Sequence, residues 1–519
     1  MKSKELIFAS IAIAAAGQGA QARDSRPNIL FIITDQQSYD MVQAISGNKY
    51  IATPGIDRLV SKGYSFANCY VANPVSVPSR FALLTGESPA QYGFRGNDIP
   101  PGLRERIVSL ATGRAMGTLF KNAGYETFYG GKVHVPFGDP RGFKKVGSSD
   151  DNTKTYGFDT YLTDDFRDVL CDTGVKFLRE HKSEKPFLLC LSFINPHDIC
   201  SATAYLDRQF QDSPPGNNEA LEVVKTYERL ADKQPDRFFD GDGSAPLPGN
   251  MAIPEGYYNC DSRAKGWSTV SDSQWRRYIW VYHNLVEFVD REIGLVLDAL
   301  EKSPYAGNTY IIFTSDHGEM GGAHHLTGKS MFFNECQKVP FIFVGKGIKN
   351  KIDRTTPVCN GWDLLPTMCD MAGIPVPKQL RGMSLWNTIT KGTPIKRDYL
   401  YLESAWGFEI LQQGRYKFSQ CEDMKEGRYE ILFDLEKDPM ELNNVIADPA
   451  YKAKADELRS VLEREIASRD MKFYTILDNR SDIGRGPAAR RPESRGAAGK
   501  RPNARPANAG RRPAPATNP

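Results

Sequence analysis

Four uninterrupted apolar runs recur along the chain, at residues 28–34, 187–193, 310–314 and 341–344. A strand with one wet face alternates apolar and polar residues, whereas a strand without alternation is buried on both faces, as happens where helices cover both sides of a largely parallel sheet. Helical periodicity lies between the runs and is clearest over 275–300, where apolar residues return every three or four positions. This alternation predicts an α/β fold, a large and mostly parallel sheet flanked by helices. Beyond about Lys396 the pattern changes. Residues 416–418 and 429–434 read as strands and Asp438-Pro439 as a turn, while 451–468 reads as an amphipathic helix with Leu458, Val461, Leu462 and Ile466 on one face. A smaller C-terminal α+β subdomain is therefore expected.

The two ends differ from the rest. Lys2 and Lys4 precede an apolar run over 6–16, and Ala20-Gln21-Ala22 supplies a small-x-small cleavage site, the pattern of a secretory signal peptide over 1–22. The run is too short to span a bilayer and no other long apolar stretch follows, so no transmembrane anchor is expected. From Arg485 onward there are nine basic residues and one acidic, in a stretch rich in Pro, Ala and Gly that cannot bury enough apolar surface to fold. The expected division is thus 1–22 signal peptide, 23–395 catalytic domain, 396–475 C-terminal subdomain and 476–519 disordered basic tail. With 40% hydrophobic and 25% charged residues, the bulk is neither disordered nor membrane-embedded. The tail carries +8 and the rest of the chain about −5, which gives the net +3; the tail is read as a solvated appendage or a tether to acidic polysaccharide or membrane surfaces, and no nucleic-acid partner is expected. Nine scattered cysteines without a Cys-x-x-Cys pair argue against a zinc cage or a disulfide framework.

In α/β sheets the working residues collect at the carboxyl ends of strands. Asp35-Gln36 follows the first run and Asp316-His317 the third, offering two carboxylates, an amide oxygen and an imidazole, an oxygen-rich set that suits Ca²⁺ or Mg²⁺. Residues 73–86 form a turn bounded by Pro74 and Pro78 that feeds a helix expected to begin near Arg80. Ser76 would sit at the mouth of that helix, where backbone N–H groups and the dipole favour an anion. Of seven histidines, His134, His197, His317, His324 and His325 fall in such loops, while His181 and His283 read as ordinary core or surface residues. The segment over 199–270 is expected to cover this edge, with Tyr257, Tyr258 and Trp267 available to stack on sugar rings. No Gly-x-Ser-x-Gly elbow exists, and the spacing from Gly322 to Gly328-Lys329-Ser330 is one residue too long for a phosphate-binding loop.

Ser76-Val77-Pro78-Ser79-Arg80, followed by Thr85-Gly86, closely resembles the defining motif of the sulfatase family. Gly131-Lys132-Val133-His134, Asn195-Pro196-His197, Asp316-His317 and Gly328-Lys329 resemble further family landmarks in the same order, so the resemblance spans about 27–470. It implies an alkaline-phosphatase-like fold and a formylglycine made from Ser76 by a maturation enzyme, its hydrated aldehyde being the nucleophile. It places a cation, Ca²⁺ with Mg²⁺ possible, among Asp35, Gln36, Ser76, Asp316 and His317. Gln36 departs from the family, in which many members carry Asp, and leaves the site one negative charge short. Arg80, Lys132 and Lys329 would balance charge on the transferring sulfuryl group, His134 would act as base, and His197 or Lys329 would assist the leaving oxygen. His324 and His325 would contact substrate. Ser rather than Cys at position 76 implies an anaerobic-type maturation system and a secreted, periplasmic bacterial enzyme. The implied function is hydrolysis of sulfate monoesters on a glycosaminoglycan- or mucin-type glycan. The alternatives are a phosphate or phosphonate ester hydrolase on the same scaffold and a non-catalytic glycan-binding relative.

Overall fold

The computed structural model describes residues 26–100, 102–136, 150–165, 167–200, 202, 270, 272–423 and 427–469. The signal-peptide stretch, residues 203–269 with Tyr257, Tyr258 and Trp267, and the basic tail lie outside the described residues.

In chain order the strands are β1 (Asn28–Asp35), β2 (Tyr64–Phe66), β3 (Cys69–Tyr70), β4 (Glu126–Gly131), β5 (Thr160–Tyr161), β6 (Phe187–Pro196) and β7 (Thr309–Ser315). They continue with β8 (Phe341–Val344), β9 (Lys351–Asp353), β10 (Val358–Cys359), β11 (Tyr399–Ser404), β12 (Gly407–Gln412), β13 (Tyr416–Asp423) and β14 (Gly427–Asp434). Eight of them form one sheet in the order β5-β4-β6-β1-β7-β8-β2-β9. The five strands from β5 to β7 are parallel, while β8 runs against both of its neighbours. The expected sheet is present with one reversed strand, and an apolar run carries no mark of its direction.

All eight residues of β1 are buried, and its alternate side chains enter opposite cores. Ile29, Phe31 and Ile33 pack with Phe81, Leu84 and Leu365, from helices Ser76–Thr85 and Asn360–Ala372. Leu30 and Ile32 pack with Leu59, Leu178, Val289 and Val296, from helices Pro54–Lys62, Asp168–Glu180 and Asp272–Glu301. Each fully buried aliphatic or phenyl group contributes about 1.5–3 kcal/mol, which is why the run tolerates no polar interruption.

The helix carrying the proline-bounded turn begins at Ser76 rather than near Arg80. Pro78 is its third residue, and the first turn loses nothing to a proline because its N–H groups have no partner within the helix. β11 to β14 make a four-stranded antiparallel sheet in sequence order. Helix Lys452–Ser468 buries Ala455, Leu458, Val461, Leu462 and Ile466 in a cluster with Leu402, Ile410, Phe418 and Leu432 of that sheet. The eight described cysteines form no disulfide. Among the described residues, no helix is long and apolar enough to cross a membrane.

Register decides what the sheet presents at its carboxyl edge. Thr34 pairs with Ser315, Asp35 with Pro196, and Gly131 with Ser192. Four adjacent parallel strands therefore end together, and the loops leaving them open with Lys132–His134, His197, Asp35-Gln36 and Asp316-His317. The β4 loop can begin there only because position 131 is glycine: φ is +85°, and a Cβ would lie 2.2 Å from the Ser192 carbonyl oxygen.

Candidate active site

At this edge Asp35, Asp316 and His317 each offer a ligand atom, all within 4.8 Å of one another and all buried. His317 Nε2 lies 3.6 Å from Asp316 Oδ1 and 3.9 Å from Asp35 Oδ1, and His197 Nε2 lies 4.0 Å from Asp35 Oδ1. Asp35 Oδ1 is buried and has no hydrogen-bond partner among the described residues. Leaving a carboxylate oxygen unpaired in the interior is costly, and a divalent cation shared with Asp316 and His317 is the group that would satisfy it. The donor set thus fits a metal. His317 Nδ1 lies 2.9 Å from the Gly318 carbonyl, an acceptor, so the proton sits on Nδ1 and the Nε2 lone pair faces the site. That Nε2 is 3.0 Å from Ser76 Oγ.

The other oxygens of the two aspartates are held by cations. Arg80 donates from Nε to Asp316 Oδ2 at 2.8 Å and from Nη2 to Asp35 Oδ2 at 2.9 Å. Its Nη1 donates to Ser192 Oγ at 2.8 Å and to the Lys132 carbonyl at 3.0 Å. The Lys132 ammonium closes on Asp35 Oδ2. Burial pushes the Asp35 carboxyl up, yet Lys132, His197, Arg80 and Lys329 together hold it well below the usual carboxylate range. Asp316 is pushed up, by burial first and then by the charge of Asp35. Burial lowers the Lys132 ammonium, against the pull of Asp35.

Burial, with Lys132 next, pushes the His134 imidazole down to about 3. His197 and His317 are also held well below the ordinary histidine range, again chiefly by burial. All three are neutral near pH 7, each with a lone pair to accept a proton or bind a metal. The Nδ1 of His134 is buried with no hydrogen-bond partner among the described residues.

Lys329 donates to Gln36 Oε1 at 2.8 Å. The Gln36 backbone N–H donates to Asp316 Oδ1 at 3.1 Å, and its carbonyl accepts from the Tyr282 hydroxyl at 2.7 Å. The Gln36 amide oxygen is therefore shared with Lys329 rather than reserved for a cation. His324 is 3% exposed and stacks on Phe333 with ring centroids 3.9 Å apart, its Nε2 3.9 Å from Glu335 Oε2. The side chain of His325 lies outside the described residues.

Two contributors went unread in the sequence. Ser192, inside β6, accepts from Arg80. Glu319 binds the amide nitrogen of Gln36, and its position two residues after His317 was the available signal. Gln36, His134, His324 and Ser330 all have left-handed φ angles, +70°, +40°, +55° and +82°. Such conformations cost about 1–3 kcal/mol each for a non-glycine residue and collect at functional sites.

Residues 27–374 match the sulfatase family, and 322–468 match the C-terminal family described as N-sulphoglucosamine sulphohydrolase. The chain is 32% identical over 476 residues to the Δ4,5-hexuronate-2-O-sulfatase of Bacteroides thetaiotaomicron, covering 87% of this chain and 91% of that protein. Its fold matches the structure of a 2-O GAG sulfatase with a TM-score of 0.67 and 27% identity, over 88% of this chain and 94% of that one. It also shares the fold of the phosphonate monoester hydrolase of Agrobacterium radiobacter, with a TM-score of 0.60 and 21% identity over 86% and 96% of the two chains. The chain accordingly belongs to the sulfatase family, which generally uses a metal and a formylglycine, and is a sulfuric ester hydrolase.

Proposed function

We propose that this enzyme removes O-sulfate from a sulfated glycan of glycosaminoglycan or mucin type, with position 76 as the nucleophile. One observation carries the reading: Ser76 Oγ lies 3.0 Å from the metal-facing nitrogen of His317, near an aspartate oxygen, Asp35 Oδ1, that has no hydrogen-bond partner among the described residues. Substrate class is inferred from the relatives, one of them a hexuronate sulfatase.

Ser76 converted to formylglycine would supply a hydrated aldehyde, and Ca²⁺, or Mg²⁺ in its place, would ease deprotonation of oxygens bound to it. Asp35, Asp316 and His317 would hold that cation, with Gln36 and the position-76 oxygen completing the set. Arg80, locked onto both carboxylates, cannot turn with the substrate, so its charge is in place before the sulfuryl group arrives. Lys132 and Lys329 add charge on either side. Neutral His134 takes the proton from the position-76 oxygen, and Lys329 delivers one to the departing sugar oxygen while neutral His197 offers that oxygen no more than a hydrogen bond; each such transfer is worth about 10²–10⁴-fold. His324 and His325 belong to the substrate side. The catalytic part is 23–395, and the leader directs export to a bacterial periplasm.

The test has two arms on one sample purified from a host with the maturation enzyme. The mass of the peptide containing position 76 should fall by two hydrogens relative to serine, and defined sulfated saccharides should be desulfated faster than phosphate or phosphonate esters. Full serine mass with retained saccharide binding would leave a non-catalytic relative. Faster phosphonate cleavage would favour the second reading, for which the fold shared with a phosphonate monoester hydrolase speaks.

A further inference from the structure

We propose that Glu319 is a positioning residue that holds Lys329 on the site by fixing which way the Gln36 amide points. The inference deepens the reading above, because it rests on Lys329 meeting the sulfate.

Glu319 is 2% exposed. One of its oxygens, Oε1, accepts from the Tyr278 hydroxyl at 2.8 Å, from Gly328 N–H at 2.7 Å and from Gly321 N–H at 3.1 Å. The other, Oε2, accepts from Gln36 Nε2. Its own backbone is gripped by Ser38, whose hydroxyl donates to the Glu319 carbonyl at 3.2 Å and lies 2.9 Å from the Glu319 nitrogen, which donates to it.

A carboxylate only accepts hydrogen bonds. The nitrogen of the Gln36 amide must face it, and the oxygen must therefore face the other way, where it receives Lys329 Nζ at 2.8 Å. Gln36 thus converts the charge of Glu319 into an acceptor for the lysine ammonium. Glu319 acts on Lys329 along a second path too, since the Gly328 N–H it binds belongs to the preceding residue.

Replacing the carboxylate by its own amide makes the logic testable. In Glu319→Gln the single remaining acceptor oxygen is claimed by the three donors from Tyr278, Gly321 and Gly328, so the new Nε2 faces Gln36 Nε2. Two donors then oppose one another, and the relief, a flip of Gln36, sets Gln36 Nε2 against the Lys329 ammonium. Adding Gln36→Glu restores the chain of acceptors: a carboxylate at 36 receives both the position-319 amide nitrogen and Lys329. The double variant has the same net charge as the wild type, so only the place of the charge differs.

The experiment uses the matured full-length enzyme, with KM and kcat on a sulfate ester, the affinity for inorganic sulfate by calorimetry, and the melting temperature. Loss of a hydrogen bond to a charged group predicts that KM and the sulfate dissociation constant rise about 10- to 100-fold in E319Q. The melting temperature should stay near that of the wild type, and the double variant should recover most of the affinity. Gln36→Met, which keeps Glu319 and removes the relay, should lose sulfate affinity to the same degree while the rise in melting temperature on adding Ca²⁺ stays as in the wild type, so it carries the test if E319Q does not fold; a blunted Ca²⁺ response would assign the loss to the cation and overturn the relay. Unchanged sulfate affinity in E319Q or Q36M, or a double variant no better than E319Q, would overturn the proposal. A wild type that binds sulfate but cleaves no sulfate ester would overturn the functional reading instead, and the calorimetry would still decide the role of Glu319.

Discussion

Arg80 offers the most demanding check on the site, because a lysine there keeps the charge and loses the shape. The guanidinium spans two aspartates, with Asp316 Oδ2 at 2.8 Å and Asp35 Oδ2 at 2.9 Å, and reaches Ser192 Oγ at 2.8 Å and the Lys132 carbonyl at 3.0 Å. A single ammonium on a thinner stem satisfies at most part of this set. Two charge-assisted hydrogen bonds lost at about 1.5–3 kcal/mol each, with an aspartate left under-compensated in the interior, predict that Arg80→Lys costs about 3–5 kcal/mol of stability. Asp316, already pushed up by burial and by Asp35, should hold its proton more tightly still. Displaced aspartates and a mobile cation predict a fall in kcat/KM of about 10²–10³-fold. Urea unfolding followed by tryptophan fluorescence gives the first quantity, as a lower midpoint at unchanged slope. Steady-state kinetics on a sulfate ester gives the second. A stability loss under about 1 kcal/mol, or kcat/KM within tenfold of wild type, would show that the bridge across the two carboxylates is not what organises the site.

Ser76→Ala should abolish turnover and lose only about 1 kcal/mol, the value of its hydrogen bond to His317, so activity and melting temperature should separate cleanly. Stripping the cation with a chelator should lower the melting temperature, and adding Ca²⁺ should restore it in a concentration-dependent way, by about 2.7 kcal/mol at a hundredfold excess over Kd. Asp35→Asn should blunt that response in scanning calorimetry, and an unmodified response would remove Asp35 from the ligand set. In the C-terminal sheet, burial pushes the Glu409 carboxyl up to about 7, against Lys417 and the Ser419 hydroxyl. The folded state then holds a proton that the unfolded chain releases near pH 4.5, so stability is lost as pH rises from about 4.5 to about 7, by about 3 kcal/mol. Glu409→Gln should flatten this slope between about pH 4.5 and about pH 7, and an equal slope in both proteins would show that another group is responsible.

What the sequence discloses and what it withholds follow from the range of the interactions. β1 and β7 are legible because burial on both faces erases alternation, a property of neighbouring residues. Once they are read as parallel strands, Asp35 and Asp316 must emerge side by side at one edge, though 281 positions separate them. The site's major partners were accessible by that route. Orientation was not. Whether the Gln36 amide shows its oxygen or its nitrogen to Lys329 is decided by Glu319, and Glu319 is held by Tyr278 from the long helix and by glycines on its own loop. No local pattern records such a chain, because every link joins residues whose own neighbours are indifferent to it. The left-handed residues make the same point energetically. Gln36, His134, His324 and Ser330 are held against their preferred conformations by bonds such as Gln36 N–H to Asp316 Oδ1 at 3.1 Å and Ser330 N–H to the Pro74 carbonyl at 2.9 Å. The second of these ties the loop bearing Lys329 to the turn bearing Ser76. Strain of about 1–3 kcal/mol per residue persists only where surrounding contacts over-determine the backbone, so the tertiary structure must be complete before the site is. A chain that assembles its sheet but not these cross-connections would hold Asp35 and Asp316 together and still present Lys329 wrongly.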